Sequence, residues 1–348
     1  MTQVLDASEH AAPDEALVVA RIADAMTALV RGRYPNGVRP MRRVPHPKHH
    51  GLVRAGVDVP GDLPADLRHG VFAEARHYDA WIRFSNGALS VQHDALPDQH
   101  GMAIKLLGVS GPKLLDDERD ATTQDVLLLD HPVFFARDVA EFETLNAALA
   151  AGKPARYFFG GGGSAPHIDV LRRVAGSNSR IASPLSHHYW SQTPYRLGPH
   201  VVKISAAPTS HLPWRPSFGV SRDYLRKRMA RQLATSAATF DLRVQLRTDP
   251  DAMPVEDPTV RWSEERSPFV TVARITIPRQ TFDTPDQQTF GENLSFTPWH
   301  ALSAHQPLGG INRARRVAYE TISRLRHEHN GVRRVEPTSL DVPSGGLP

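Results

Sequence analysis

AWIRFSNGALSVQHDALPDQHGMAIKLLGV, residues 80–109, contains two apolar runs, AWIRFSN (80–86) and GMAIKLLGV (101–109), separated by a stretch carrying Gly, Asp and Pro. Short runs rich in branched and aromatic side chains, bounded by turn formers, read as β-strands. Working outward, LVRAGVDV (52–59) and HGVFAEA (69–75) precede this pair with the same character. VLLLD (126–130), HVVKISAAP (200–208), FDLRVQLRT (240–248) and FVTVARITI (269–277) follow it. Helical spacing is found over 14–31, ending near Gly32 and Pro35, and over DVAEFETLNAALAAG (138–152), with Gly152 just past its end. IDVLRRVAG (168–176) and SRDYLRKRMARQLATSA (221–237) are also helical, and Gly160 to Ser164 reads as a mobile loop. Strands in this number, with helices grouped around them, predict an α+β fold: an antiparallel β-barrel core with surrounding helices.

The composition narrows the chemistry. Among 348 residues, 40% are hydrophobic and 22% charged, as in ordinary globular proteins. A formal charge of +4, with no basic run interleaved with aromatics, argues against a dedicated nucleic-acid reader. There are no cysteines, which excludes disulfides, thiolate zinc sites, iron–sulfur clusters and cysteine nucleophiles. The first residues lack the basic, then apolar, order of a secretory signal, so a cytoplasmic location is the default expectation. No apolar stretch approaches the roughly 20 residues of a membrane span.

The stretch from Arg315 to Arg326, RRVAYETISRLR, carries the most chemistry. On a helix, Arg315, Tyr319 and Arg326 fall within about 40° of one another, beside a stripe of Ala318, Ile322 and Leu325. One reading is an amphipathic surface helix with a half-buried ring. The other is a tyrosine held among guanidiniums. A close cation favours the phenolate, and a phenolate can serve as an axial ligand of haem iron.

Taken together, several segments resemble the haem-dependent catalase family, in the family's order and over roughly residues 40–328. They are Arg43-Val44-Pro45-His46-Pro47-Lys48, Trp81-Ile82-Arg83-Phe84-Ser85-Asn86, Asp98-Gln99-His100-Gly101-Met102-Ala103-Ile104-Lys105 and Asp130-His131-Pro132-Val133-Phe134-Phe135-Ala136-Arg137-Asp138. Tyr189-Trp190-Ser191 and Phe296-Thr297-Pro298 continue the series, which ends in Arg315-x-x-x-Tyr319-x-x-x-x-Arg324-x-Arg326. The resemblance implies haem b as cofactor, with Tyr319 as the proximal iron ligand and Arg315 keeping its oxygen ionised. It implies His46 as the distal acid–base, oriented by Ser85, with His50 as the alternative in that register. Arg43, Arg83 and Arg326 would hold the haem propionates, and Phe134 would line the distal side. Each also has a plain reading: solvated arginines for Arg43 and Arg83, and packing for Phe134. The histidines of HPKHH (46–50) also suggest zinc, but Pro47 disfavours the helix that would align two of them. His49 and His50 then read as solvated or hydrogen-bonding neighbours.

Two departures from the family's pattern bear on activity. Asp130 stands where hydrogen peroxide-dismutating catalases place an asparagine beside the distal histidine. A buried carboxylate there either takes up a proton and imitates the amide, or stays charged and disfavours an anionic peroxide; a third reading has it bonding local backbone. The chain also stops about 30 residues after Tyr319, which resembles the short, catalase-related peroxidases, so NADPH binding is not expected. Trp299 and His300 read as packing residues or as a route for electrons. The implied organisation is an N-terminal helix and arm over 1–40, a haem-binding domain over 41–330 and a tail over 331–348. The implied activity is reduction of hydrogen peroxide or organic hydroperoxides by an unidentified electron donor. A slow catalase, a lipid-hydroperoxide-converting enzyme and a non-catalytic haem binder are the alternatives. No nucleic-acid partner is expected, and a homo-oligomer is left open.

Overall fold

The computed structural model describes residues 5–160, 165–210 and 221–343; of the loop expected over Gly160–Ser164, all but Gly160 lies outside these. Helix α1 (Glu15–Arg33) is followed by strands β1 (Lys48–Val59), β2 (Arg76–Asn86), β3 (His100–Leu107) and β4 (Thr123–Leu129). Helices α2 (Val139–Ala150), α3 (Pro154–Phe159) and α4 (Ile168–Gly176) come next, then β5 (Tyr189–Trp190), β6 (Tyr195–Leu197) and β7 (His200–Pro208). Helix α5 (Tyr224–Thr235), strands β8 (Ala238–Leu246) and β9 (Val270–Ile277), and helices α6 (Pro285–Asn293) and α7 (Gly310–Asn330) complete the chain.

Neighbouring strands pair antiparallel in the order β5-β4-β3-β2-β1-β9-β8-β7, and a β5–β7 pairing closes the ring into an eight-stranded barrel; β6 adds to β7 as a flap. Closure removes the open edges that would otherwise invite aggregation. Because strand side chains alternate, each strand presents one face inward. Ile82 and Phe84 of β2, Met102, Ile104 and Leu106 of β3, and Val126 and Leu128 of β4 belong to one buried cluster with Val53, Ala55 and Val57 of β1. Each fully buried side chain of this size contributes about 1.5–3 kcal/mol. The intervening residues, Arg83 and Ser85, Gly101 and Ala103, Leu127 and Leu129, take the opposite face of the same wall.

Helix α7 lies outside that wall and packs against α1, with Ala314, Ala318 and Ile322 meeting Val18, Ile22, Met26 and Val30. Its setting is fixed at both ends. The Gly309 and Gly310 amides donate to Glu9 and Glu256, and Arg313 pairs with Glu9, Glu15 and Glu256. Gly331 ends the helix in the left-handed conformation (φ 68°), which costs glycine no Cβ clash.

Four elements differ from expectation. HGVFAEA is not a strand: Gly70–Phe72 forms a 3₁₀ turn, with Gly70 at φ 57°. A Cβ there would stand 2.2 Å from His305, whose Nε2 accepts the Val71 amide at 2.9 Å. Helices α3 and α6 were not expected. The tail docks on the barrel rather than trailing: Trp81 and Arg54 donate to the Ser339 and Leu340 carbonyls, and Glu336 meets the buried Lys105 at 2.6 Å. Among the described residues, no helix is long and apolar enough to cross a membrane.

Candidate active site

A cavity of about 840 Å³, counting its open mouth, separates the outer face of the β1–β4 wall from α7. Its middle is apolar, bordered by Met26, Val44, Met102, Leu127, Leu129, Phe296 and Ile322. Its polar groups come from both sides. Arg43, His46, Arg83 and Ser85 border it from the barrel, and Arg315, Tyr319, Ser323 and Arg326 from α7. Seven of the nine residues singled out from the sequence therefore meet at one cavity.

On the barrel side, His46 sits between Pro45 and Pro47 with φ 70°. That left-handed backbone costs a non-glycine residue about 1–2 kcal/mol and persists because the surroundings hold it. The Arg83 Nη2 donates to the His46 carbonyl at 3.1 Å. His46 Nδ1 and Ser85 Oγ are 3.0 Å apart. Ser85 pairs with Gly101 across β2 and β3. A Cβ on Gly101 would lie 2.9 Å from His46 Cε1, so glycine leaves the room the imidazole fills. Burial, with the Arg83 and Arg43 charges adding to it, pushes the His46 imidazole down to about 3. The ring is therefore neutral at physiological pH, and with Nδ1 held by Ser85, Nε2 is left to exchange a proton.

On the helix side, Arg315 Nη2 lies 3.5 Å from the Tyr319 hydroxyl, and its guanidinium sits over the same ring at 5.4 Å. Arg315 is itself fixed: Nη1 donates to Asn312 Oδ1 at 3.0 Å and to Thr193 Oγ1 at 3.3 Å. Asn312, fully buried, donates to the Pro194 and Leu308 carbonyls, and its own carbonyl accepts the Trp299 indole N–H. Trp299 is thus a packing residue that anchors the first turn of α7.

The third feature is an excess of positive charge. Arg83 and Arg326 are each 2% exposed, and Arg43 is half-buried beside them. Burial, and then repulsion by its guanidinium neighbours, hold Arg83 well below the usual arginine range, and the same two effects push Arg326 down to about 9. The nearest carboxylate, Glu292, opposes this for all three. Arg43 donates to the Glu292 and Leu294 carbonyls at 2.8 and 2.7 Å, and Arg326 to the Glu292 carbonyl. Arg83 reaches the Glu292 carboxylate only at 3.8 Å, and its buried Nε has no hydrogen-bond partner.

Two expected site residues stand elsewhere. Asp130 does not border the cavity. Its Oδ1 accepts the His100 amide at 2.8 Å, while Oδ2 meets His100 Nδ1 and accepts from Ser179 Oγ, both at 2.7 Å. Burial alone would raise this carboxyl, but the hydrogen bonds and charge of His100, with Ser179, hold it below the usual carboxylate value. It stays ionised, and no protonated amide mimic forms. Phe134 also lies off the cavity lining, stacked on Phe135 at 4.3 Å and edge-on to Phe142. His49 and His50 are buried in β1 rather than solvated, and His50 Nε2 pairs with Asn86 Oδ1 at 2.7 Å. A different cluster, Glu118, His300 and Glu336, has metal-like spacing. Lys105 and Arg334 already neutralise its carboxylates, so it is an internal ion-pair network.

Sequence reasoning missed Glu292, His100, Thr193 and Asn312. Glu292 stands four residues before the recognised Phe296-Thr297-Pro298, and His100 lies inside a recognised segment, but neither has a local pattern that marks it.

No protein-family model matches the sequence, and no curated protein does. Among solved structures, the crystal structure of a fungal catalase is similar, with a TM-score of 0.62 at 17% identity, covering 88% of this chain and 62% of that one. The likeness establishes a catalase-like fold, and this chain spans less than two thirds of that catalase's length.

Proposed function

We propose that this chain is a haem b-dependent peroxidase of the catalase type, reducing hydrogen peroxide or organic hydroperoxides with electrons from an external donor. The observation that carries the reading is the cavity's charge: three guanidiniums gather round Glu292, whose carboxylate approaches only Arg83, and among the described residues a buried guanidinium nitrogen of Arg83 has no partner. Such an excess fits a ligand that brings its own carboxylates, and the apolar middle of the cavity suits a flat hydrophobic macrocycle. Arg43, Arg83 and Arg326 would hold its propionates, where bidentate guanidinium–carboxylate pairing is strong. Tyr319, with Arg315 against its hydroxyl, would supply an oxygen ligand to the iron. When bound, haem b supplies the redox-active iron for cleavage of the O–O bond.

The chain's own contribution is placement and proton transfer. Reduction of ROOH to ROH and water consumes two electrons and two protons. His46 Nε2 accepts the proton that the hydroperoxide gives up and returns it to the leaving oxygen, and Ser85 holds the ring while it does so. Arg315 sets its guanidinium against the Tyr319 hydroxyl and ring, and the barrel wall and α7 keep water from the apolar middle. Asp130, committed to His100, offers the cavity no second proton donor. That favours donor-dependent reduction over dismutation.

The test is the absorption spectrum of protein expressed with added hemin, followed by stopped-flow mixing with hydrogen peroxide and cumene hydroperoxide, with and without an oxidisable dye. Dye oxidation that needs both peroxide and dye is the expected result. Oxygen evolution from peroxide alone would show a catalase instead, and colourless protein would remove the reading altogether.

A further inference from the structure

Glu292 touches all three arginines at the edge of the cavity: Arg83 through its carboxylate, and Arg43 and Arg326 through its carbonyl. Among the described residues, one oxygen of its carboxylate, Oε1, is buried and unpartnered, as is Nε of Arg83. Both ends of this pair are therefore incompletely satisfied, which costs free energy in a buried setting. Three guanidiniums against one carboxylate leave a surplus of two positive charges. Arg42, the next basic residue, also repels Arg83, but it donates to the Pro47 carbonyl and is not one of the guanidiniums that meet Glu292. Arg315 borders it at the Tyr319 end and is held by Asn312 and Thr193.

We propose that Glu292 is an internal counter-ion that sets the charge of the ligand this site accepts, selecting a tetrapyrrole with two carboxylates over one with four. The inference rests on reading the cavity as a tetrapyrrole site. Its physical content is a charge count. Without Glu292 the arginines offer three positive charges, and a more anionic macrocycle gains most from them. With Glu292 present, two ligand carboxylates bring the cluster to neutrality, and further carboxylates meet its like charge in a poorly screened setting. Glu292 is a specificity and positioning residue and takes no part in proton transfer.

The experiment titrates metal-free protein with metal-free porphyrins and follows porphyrin absorbance and fluorescence, so it does not depend on turnover. Protoporphyrin IX brings two carboxylates and coproporphyrin III four. Wild-type protein is expected to bind protoporphyrin IX about tenfold more tightly. Glu292→Gln should erase or invert that preference, a change of about tenfold or more in the affinity ratio. The double variant Arg83→Gln, Glu292→Gln restores a surplus of two charges and should restore the preference, which a purely structural role of Glu292 would not do. If Glu292→Gln fails to fold, the double variant and Glu292→Asp, which keeps the charge and should keep the preference, carry the test. An unchanged ratio in Glu292→Gln, or no recovery in the double variant, overturns the proposal. Wild-type protein that binds neither porphyrin would instead overturn the reading of the cavity.

Discussion

The His46 imidazole, pushed down to about 3 by burial and by Arg83 and Arg43, should stay available as a proton acceptor far into the acid range. At pH 5 such a ring is about 99% neutral, whereas an unperturbed histidine, titrating near 6.5, is about 3% neutral. The difference is about 30-fold in competent protein. The perturbation is pH, from 8 down to 5, applied to the haem-loaded protein and to its His46→Gln variant. The assay is the second-order rate of reaction with hydrogen peroxide, followed by stopped flow, with the His46 Cε1–H resonance titrated in metal-free protein alongside. A flat rate across the range is expected for wild type, with His46→Gln slower by about 10²–10⁴, the usual loss for a positioned acid–base. A rate that falls with an inflection near 6.5, matched by an NMR inflection there, would refute the reasoning. So would a larger loss in His50→Gln than in His46→Gln.

Other perturbations give distinct outcomes. Tyr319→Phe should lose haem or shift its absorption bands, and an unchanged spectrum would remove Tyr319 as the iron ligand. Asp130→Asn replaces an ionised oxygen that holds His100 and Ser179, so urea unfolding should show a loss of about 1.5–3 kcal/mol, as for a hydrogen bond to a charged group. A rise in oxygen evolution relative to dye oxidation without that loss would mean that Asp130 acts on peroxide directly. His50 and His305 are held to about 3 and about 4 chiefly by burial, below the unfolded value near 6.5. Their neutral forms therefore stabilise the fold fully above pH 6.5, and that stability drains away as pH falls toward 3–4. Between pH 7 and pH 5 each should cost about 2 kcal/mol, and His305→Gln should make the urea midpoint correspondingly less pH-dependent.

The fold was legible wherever burial leaves a period in the sequence. The runs 52–59, 80–86 and 101–109 face a core on one side, and α7 repeats its apolar stripe every 3.6 residues, so barrel and helix could both be read. The same two periods brought Arg83, Ser85, Tyr319 and Arg326 to one cavity. Readability ended where a residue's meaning depends on a partner from another segment. Asp130 was expected beside His46 because it stands at the position where the resembled family places an asparagine. Its carboxylate turns to His100 because β3 pairs with β4 and places that imidazole next to it. Glu292 matters only because Arg43, Arg83 and Arg326 converge on it from three separate elements, and Pro285 and Gly291 blur the helix that carries it. The run at 69–75 is apolar enough for a strand, but Gly70 takes a left-handed turn under His305, and single-sequence periodicity does not register that contact.

One electrostatic arrangement ties cofactor retention to proton transfer. Arg83 donates to the His46 carbonyl and also belongs to the guanidinium cluster at the cavity edge. Arg83 and then Arg43 are the largest charges that add to burial in depressing His46, with His100 a smaller one and Asp130 opposing them. A bound dicarboxylate would neutralise part of that charge while leaving the ring buried. The proton affinity of His46 should therefore rise on loading from about 3, by about one unit, which still leaves the buried ring neutral down to pH 5. This places the loaded histidine closer to the pH at which it must both take and return a proton, where general acid–base catalysis is most efficient. Titrating the His46 Cε1–H resonance in metal-free protein, with and without diamagnetic zinc protoporphyrin IX, should show an upward shift. The shift should be smaller in Arg83→Gln, which has already lost the largest of these charges. No movement on loading would mean that burial alone sets the imidazole, and that the guanidiniums serve only to hold the ligand.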